Sequence, residues 1–279
     1  MSAGLVAVVT VVSGRHDHLR LHLGALARQA AHLHVVVAVD DPEAAAAATA
    51  AGAHVVELPR EAGHLPVAAA RNAGVGAALA AGADVLVLLD VDCLAGPGLV
   101  ASYAGAARAD RDTVWCGPVT YLRADQRPYS LDHLPTLDDP HPARPAPAPG
   151  EVRDEHRWEL FWSLSAALHR DAWQRTGGFD EAYVGYGAED TDLGRRAERA
   201  GLSLRWLGSA RAFHQHHPVE SPPVRHLDDL LRNGALFAER WGAWPYPGWL
   251  EAFREQGLVE PDGDGGWRRA AAGSTAGST

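Results

Sequence analysis

Four groups of residues in this chain have types and spacings suited to chemistry. Asp90 and Asp92 flank one residue at the end of an apolar run, and alternation along a strand would set both carboxylates on one side. Two oxygen-rich side chains there suit a hard divalent cation held together with a phosphorylated ligand; the plainer alternative is a pair of solvated loop acids. Glu189-Asp190-Thr191-Asp192-Leu193 opens a second group, with Arg195, Arg196 and Arg199 following one turn later. Acids in a first helical turn are ordinary partners of the helix dipole. A carboxylate pinned there also stays ionised and oriented, as a general base requires, and Gly185 and Gly187 would let the backbone approach a ligand closely. The third group, His214-Gln215-His216-His217, offers neutral imidazoles that can join a carboxylate pair around manganese or a similar ion. Arg71-Asn72, ahead of the acidic run, has the reach to meet a phosphate or a nucleobase edge, or equally to pin a helix to a loop.

Composition narrows what these groups can do. Every one of the 25 basic residues is arginine, so lysine chemistry is excluded: no Schiff base, no pyridoxal-bearing lysine and no phosphate-loop lysine. With 35 acidic residues the formal charge is −10, which argues against a nucleic-acid surface. A phosphate-handling site without lysine must rely on arginine, backbone dipoles or a bound cation, and the paired aspartates favour the cation. The 279 residues, 47% of them hydrophobic, are enough for one large domain or two small ones. Cys93 and Cys116 match neither a metal spacing nor a disulfide framework, which points to a reducing, cytoplasmic setting. The start of the chain reads as a strand instead of an export signal, and no stretch has the length and apolarity of a membrane span.

The elements that must position these residues follow from periodicity. Leu5 to Val12 is a β-branched run closed by Ser13 and Gly14, and leucines at helical spacing follow from Asp17 to Ala30. His34 to Val39 reads as a second strand, after which Asp41-Pro42-Glu43 supplies an N-cap, a first-turn proline and an early acid for an alanine-rich helix. His54 to Leu58 is a third strand, Pro66 to Ala81 a helix, and Asp84 to Leu89 the strand that ends in Asp90-Val91-Asp92. Strands alternating with helices predict a mainly parallel sheet covered on both faces, whose ligand site lies beyond the carboxyl ends of the strands. Residues 123–157 are Pro-rich without sustained period and read as a mobile surface loop or lid. Further helices are expected near Glu189 and from Leu227 to Trp241, then an aromatic turn and a short helix to Gly257. The tail from 261 onward reads as disordered.

In that order, Ser13-Gly14-Arg15, Ala69-Ala70-Arg71-Asn72-Ala73-Gly74, Asp90-Val91-Asp92 and Gly177-Gly178-Phe179-Asp180-Glu181 with Glu189-Asp190-Thr191-Asp192-Leu193 resemble the family 2 glycosyltransferases of the GT-A fold. The latter half, with Gly-Tyr-Gly-Ala-Glu-Asp and a later histidine, also resembles the catalytic region of the β-1,4-galactosyltransferase and chondroitin polymerase group. The resemblance covers residues 4–217. It implies an α/β, Rossmann-like sheet flanked by helices over 1–217, leaving a small helical appendage at 218–260 and the tail at 261–279. It further implies a metal-dependent inverting transfer of a hexose-type sugar from a nucleotide-sugar, a UDP-sugar by preference, to the hydroxyl of a glycan or small-molecule acceptor. Residue by residue, Asp40 with Ser13, Gly14 and Arg15 would line the nucleotide pocket and Asp90 would sit near the ribose, while Arg71 stays a candidate substrate-binding residue by its reach alone. Asp92 would bind Mn2+ or Mg2+ with His214 or His217. Asp190 would be the base, and Glu189 and Tyr186 would hold substrate. Tyr183 and Tyr186 stand where the galactosyltransferase group has tryptophans, so the resemblance leaves the donor sugar open.

Rival readings fail on particular residues. A haloacid-dehalogenase-type phosphatase would place its Asp-x-Asp on the first strand and need a later lysine. The Gly74-Val75-Gly76 run lies inside a helix before a strand, against a dinucleotide fingerprint, which follows a strand. A sugar nucleotidyltransferase would show an N-terminal Gly-rich loop with arginine and lysine. What stays in contention is a non-catalytic nucleotide-sugar or glycan-binding module of the same fold. Trp241, Trp244 and Trp249 are read either as packing of the appendage or as a sugar-stacking platform.

Overall fold

A computed structural model describes residues 4–30, 32–263 and 265–271. The chain opens with β1 (Leu5–Val12), α1 (His16–Leu26), β2 (Leu33–Val39), α2 (Pro42–Ala50), β3 (His54–Leu58), α3 (Val67–Ala80) and β4 (Ala83–Leu89). There follow β5 (Cys93–Ala95), α4 (Leu99–Ala109), β6 (Thr113–Cys116), β7 (Val119–Tyr121), β8 (Val152–Glu155), β9 (Ser165–His169), α5 (Arg170–Thr176) and α6 (Glu189–Arg199). The last elements are β10 (Ser203–Leu207), β11 (Ala212–His214), α7 (Leu227–Trp241), α8 (Pro247–Glu255), β12 (Val259–Pro261) and β13 (Trp267–Arg269).

One eight-stranded sheet, ordered β3-β2-β1-β4-β9-β6-β10-β8, forms the centre. β3, β2, β1 and β4 run parallel, as their continuous apolar runs require when both faces are covered. Beyond β4 the sheet is mixed: β9 enters antiparallel to β4 and β6, β10 is parallel to β6, and β8 closes the edge antiparallel to β10. The two faces carry separate cores. Val9, Leu86, Leu88 and Trp206 pack under α3 and α6, whereas Val8, Val87 and Leu89 pack under α4, which contributes Tyr103. α3 lies close on β1 and β2 because Gly74 has no side chain; a Cβ there would meet Val9 Cγ1 at 2.5 Å and Val37 Cγ2 at 2.8 Å. Gly74 is therefore a packing residue, in line with its position inside a helix.

A second, three-stranded sheet, β5-β11-β7, sits at the end of β4. Its register sets His214 against Cys93 on one side and Tyr121 on the other. That pairing carries the histidine cluster to the acidic turn.

Two stretches expected to lack regular order carry structure. In the Pro-rich segment 123–157, Tyr129 and Leu134 join Leu94, Leu122 and Phe213 in a small core, Arg211 pairs with Asp138 at 2.9 Å, and β8 completes the sheet. Apolar residues spaced through an otherwise polar run anchor it. The tail from 261 is likewise folded as far as it is described, since β12 and β13 pair as a hairpin and Trp267 packs with Phe253 and Val259. Residues 272–279 of the expected disordered tail lie outside the described residues. No helix among the described residues is long and apolar enough to cross a membrane.

Candidate active site

The acidic motif lies in a turn and not along a strand. β4 ends at Leu89, the Cys93 amide donates to the Asp90 carbonyl at 2.8 Å, and the two carboxylates go to different partners. Asp90 accepts from Arg71 Nη2 at 3.0 Å, while Asp92 faces Arg15 Nη1 at 3.1 Å, His214 Nε2 at 3.5 Å and His217 Nε2 at 3.6 Å. The paired-aspartate reading thus gives way to one aspartate in an arginine network and one among imidazoles.

Asp92, His214 and His217 each present a ligand atom, all within 4.8 Å of one another. One carboxylate oxygen and two imidazole nitrogens form a donor set that suits Mn2+ and similar divalent ions, so the residues present fit a metal. His217 Nδ1 donates to the Pro218 carbonyl at 3.1 Å, which leaves its Nε2 free for the shared centre. Burial alone would raise Asp92, but contact with His217 and the charges of His214 and Arg15 outweigh it and hold the carboxyl well below the usual range. Burial pushes the His214 imidazole down, which keeps it neutral and able to ligate. Gln215, which carries no signal of its own in the sequence, straps this turn in place: its backbone amide donates to the Asp92 carbonyl at 2.7 Å and its side chain to the His18 carbonyl at 3.1 Å. His216 is not part of that donor set, and its backbone amide donates to the Tyr129 hydroxyl at 3.1 Å.

The second carboxylate group opens α6. Glu189 pairs with Arg71 Nη1 at 3.0 Å, so buried Arg71 bridges the acidic turn and this helix, with Phe179 beneath it at 5.2 Å. Both guanidinium ends are engaged by protein carboxylates. Asn72 is a pin, since its side chain exchanges hydrogen bonds with the amide and carbonyl of Phe179, both at 2.8 Å. Asp190 accepts from the Thr191 amide at 2.7 Å. Burial first, then the adjacent Glu189 charge, push its carboxyl up to about 7, against the pull of Arg71. Asp192 is different: it is buried, with hydrogen bonds from Arg196 at 2.7 Å and from the Trp241 indole at 2.9 Å, and serves the helix itself.

A cavity of about 810 Å³ joins the two groups. Arg15, Arg71, Asp90, Asp92, Glu189 and Asp190 lie in its wall, together with the rings of Tyr121, His141, Trp162, Tyr186, Tyr246 and Trp249. The Gly185-Tyr186-Gly187 loop owes its position to the appendage. Gly185 and Gly187 have φ of 81° and 93°, and a Cβ would strike Asp229 at 2.3 Å at the first and Leu230 at 2.8 Å at the second. These glycines therefore let α7 approach on one side, and both also line the cavity. Asn233 completes the joint by donating to the Val184, Tyr186 and Gly187 carbonyls. Tyr186 stacks on His226 at 4.3 Å, with Trp249 at 6.3 Å. Of the three tryptophans in the appendage, Trp241 and Trp244 pack against Phe237 and Gly234, and Trp249 reaches the cavity.

Ser13, Gly14 and Asp40 stand on an adjoining shelf at the ends of β1 and β2, outside the cavity wall that Arg15 enters. Ser13 Oγ accepts from Arg60 at 2.8 Å, and Asp40 is exposed with φ 50°. Asp41 builds this shelf: it caps α2 by accepting from the Ala44 amide at 3.0 Å, accepts from the Gly14 amide at 2.6 Å and contacts His16 at 2.9 Å. The cap alone is worth about 1 kcal/mol.

The chain is similar to known glycosyltransferases in sequence and in fold. A family model described as the N-terminal domain of galactosyltransferase matches residues 152–218, the stretch from β8 through α6 to the histidines. A validoxylamine A glucosyltransferase of Streptomyces hygroscopicus subsp. jinggangensis is 30% identical over 192 residues, covering 62% of this chain and 44% of that protein. Among solved structures, GalNAc-T7 with UDP, GalNAc and Mn2+ superposes with a TM-score of 0.57 at 15% identity over 91% of this chain and 54% of that one. Staphylococcus aureus TarS gives 0.57 at 14% identity, over 85% and 39%. The chain spans less than half the length of the curated relatives it matches.

Proposed function

We propose that this chain is a family 2-like glycosyltransferase of the GT-A fold that moves a hexose-type sugar from a nucleotide-sugar to an acceptor hydroxyl with inversion at the anomeric carbon. The observation that carries the reading is a single cavity whose wall holds two aspartates pushed in opposite directions, Asp92 down and Asp190 up to about 7. Asp92, His214 and His217 would hold a divalent cation, Mn2+ or Mg2+. A cation bound there would offset the charge that develops on a diphosphate leaving group.

The chain's own residues account for the rest. Asp190, unprotonated above about pH 7, takes the proton of the acceptor hydroxyl as that oxygen forms its bond to the anomeric carbon. The bond from that carbon to the diphosphate oxygen breaks, and the electron pair leaves with the nucleotide. Glu189, held by Arg71, orients the acceptor beside Asp190. Tyr186 and Trp249 offer ring faces to the acceptor and exclude water, which would otherwise compete as acceptor. Arg15, Ser13, Gly14 and Asp40 take the nucleoside end along the shelf. The UDP and Mn2+ bound to GalNAc-T7 support a UDP-sugar and manganese, and a glucosyltransferase among the relatives supports a hexose and a small-molecule or glycan acceptor. We place the reaction in the cytoplasm, where the buried free thiols of Cys93 and Cys116 stay reduced.

Incubation with a panel of nucleotide-sugars, manganese and acceptor candidates, followed by measurement of free nucleotide, tests the reading. Release of UDP from one donor is expected. Donor binding without release under every acceptor condition would instead make the chain a binding module.

A further inference from the structure

Two arginines are buried among the described residues, Arg71 and Arg144. Arg71 ends on two carboxylates. Arg144 is only 6% exposed, yet its Nε, Nη1 and Nη2 have no hydrogen-bond partner among the described residues. Its guanidinium lies between two indoles, 4.9 Å from the Trp162 ring and 4.7 Å from the Trp206 ring. Ring faces attract a cation, but they cannot accept its five N–H groups, and an unpaired buried charge costs a folded chain stability. A chain that keeps such a charge has a use for it outside folding.

The surroundings indicate the use. Trp162 is part of the cavity wall, as are His141, from the same Pro-rich run as Arg144, and Tyr121. His141 packs on Trp162 at 5.8 Å and on Tyr121 at 5.1 Å, and Tyr121 stacks on His214 at 4.5 Å. A continuous row of rings thus runs from Arg144 to the candidate metal cluster. Meanwhile the cavity wall holds five carboxylates, Asp90, Asp92, Glu159, Glu189 and Asp190, against Arg15 and Arg71, both already paired with them. An anion brought into that wall needs a positive charge that is not engaged elsewhere, and there is no lysine to supply it.

We propose that Arg144 is a positioning residue for the diphosphate of the bound nucleotide-sugar, acting as an unneutralised charge behind the Trp162 wall without touching the ligand. The proposal rests on the function put forward above. The metal cluster at the far end of the ring row selects the diphosphate over an anionic acceptor as the group it serves. The charge of Arg144 also reaches the wall residues themselves, since after burial it is the next cause that lowers the His141 imidazole.

Arg144→Met keeps length and apolar contact with both indoles while removing the charge. Calorimetry with manganese present, using UDP and uridine as probes, separates charge from shape, because uridine lacks the diphosphate. For Arg144→Met we expect UDP to bind about tenfold more weakly, uridine to bind as in the wild type, and the ligand-free melting temperature to hold or rise. Arg144→Lys, which restores a charge, should recover most of the UDP-to-uridine ratio. An unchanged ratio in Arg144→Met, or an equal loss for both probes with a lower melting temperature, would overturn the proposal in favour of a packing role. If Arg144→Met does not fold, the same ratio is read on Arg144→Gln. Wild-type protein that binds neither UDP nor the diphosphates of guanosine, adenosine and thymidine would overturn the function itself, an outcome distinct from an insensitive variant.

Discussion

Asp92 and Asp190 share a cavity and a residue type but have opposite environments. Asp92 sits at a turn between β4 and β5, with an arginine at 3.1 Å and two imidazoles within 3.6 Å, and burial is overruled by positive and hydrogen-bonding neighbours. Asp190 sits in the first turn of α6 with Glu189 beside it, and there burial and like charge win although Arg71 opposes them. A carboxyl that never takes up a proton near neutral pH suits a fixed charge for a cation or diphosphate. One poised at about 7 suits proton transfer. Pairs of acids whose environments separate their proton affinities mark a division of labour, and three experiments address that division directly.

The largest effect is expected at the base. Asp190→Asn should lower turnover by about two to four powers of ten while UDP affinity stays within about twofold, measured by steady-state rates and calorimetry. Unaltered turnover would remove Asp190 from the reaction and collapse the comparison. Asp92→Ala should act in the other half of the site. It should abolish the manganese dependence of UDP binding, a loss at least as large as the roughly 10- to 100-fold that follows removal of an outer-shell partner. Equal UDP affinity with and without manganese in the wild type would remove the metal from the reading. His214→Ala and His217→Ala, titrated with manganese side by side, should both weaken the ion. Retained affinity in both would make the histidines structural.

How much of this was legible beforehand depends on how local each signal is. β3 is read at its observed bounds, and α7 likewise, because a β-branched run or a 3.6-residue period is complete within a few turns of chain. The strands β5, β7 and β11 have three residues each, too few for any period, yet their pairing is what brings His214 to Asp92. The residues were therefore visible as chemistry and their meeting was not. Gln215 shows the same limit, since its partner His18 lies 197 residues earlier. Arg144 gave no signal in a Pro-rich run, because its two indoles come from separate segments that only the folded sheet sets side by side. The sequence shows Gly185 and Gly187 as places of close approach, but not that α7, distant in the chain, is one of the bodies that approaches them.

The smallest effects sharpen the comparison through proton linkage. Asp190 has a folded value of about 7 against an unfolded value of about 4, so between those limits the folded chain binds the proton more tightly. Stability conferred relative to the ionised form is therefore lost as pH rises from about 4 through about 7, and above that the wild type carries the full penalty of a buried charge beside Glu189. Asparagine never ionises and escapes it. The melting temperature of Asp190→Asn, relative to wild type in metal-free buffer, should match near pH 4, climb by a few degrees towards pH 7 and then level off. The same logic governs activity: the rising limb of kcat/KM should fall near pH 7, and Glu189→Gln, which removes the like charge and leaves Arg71 to act on Asp190, should move that limb to lower pH. A limb that stays in place would mean that burial alone sets the Asp190 carboxyl. The contrast with Asp92 would then be one of solvent access more than of neighbouring charge.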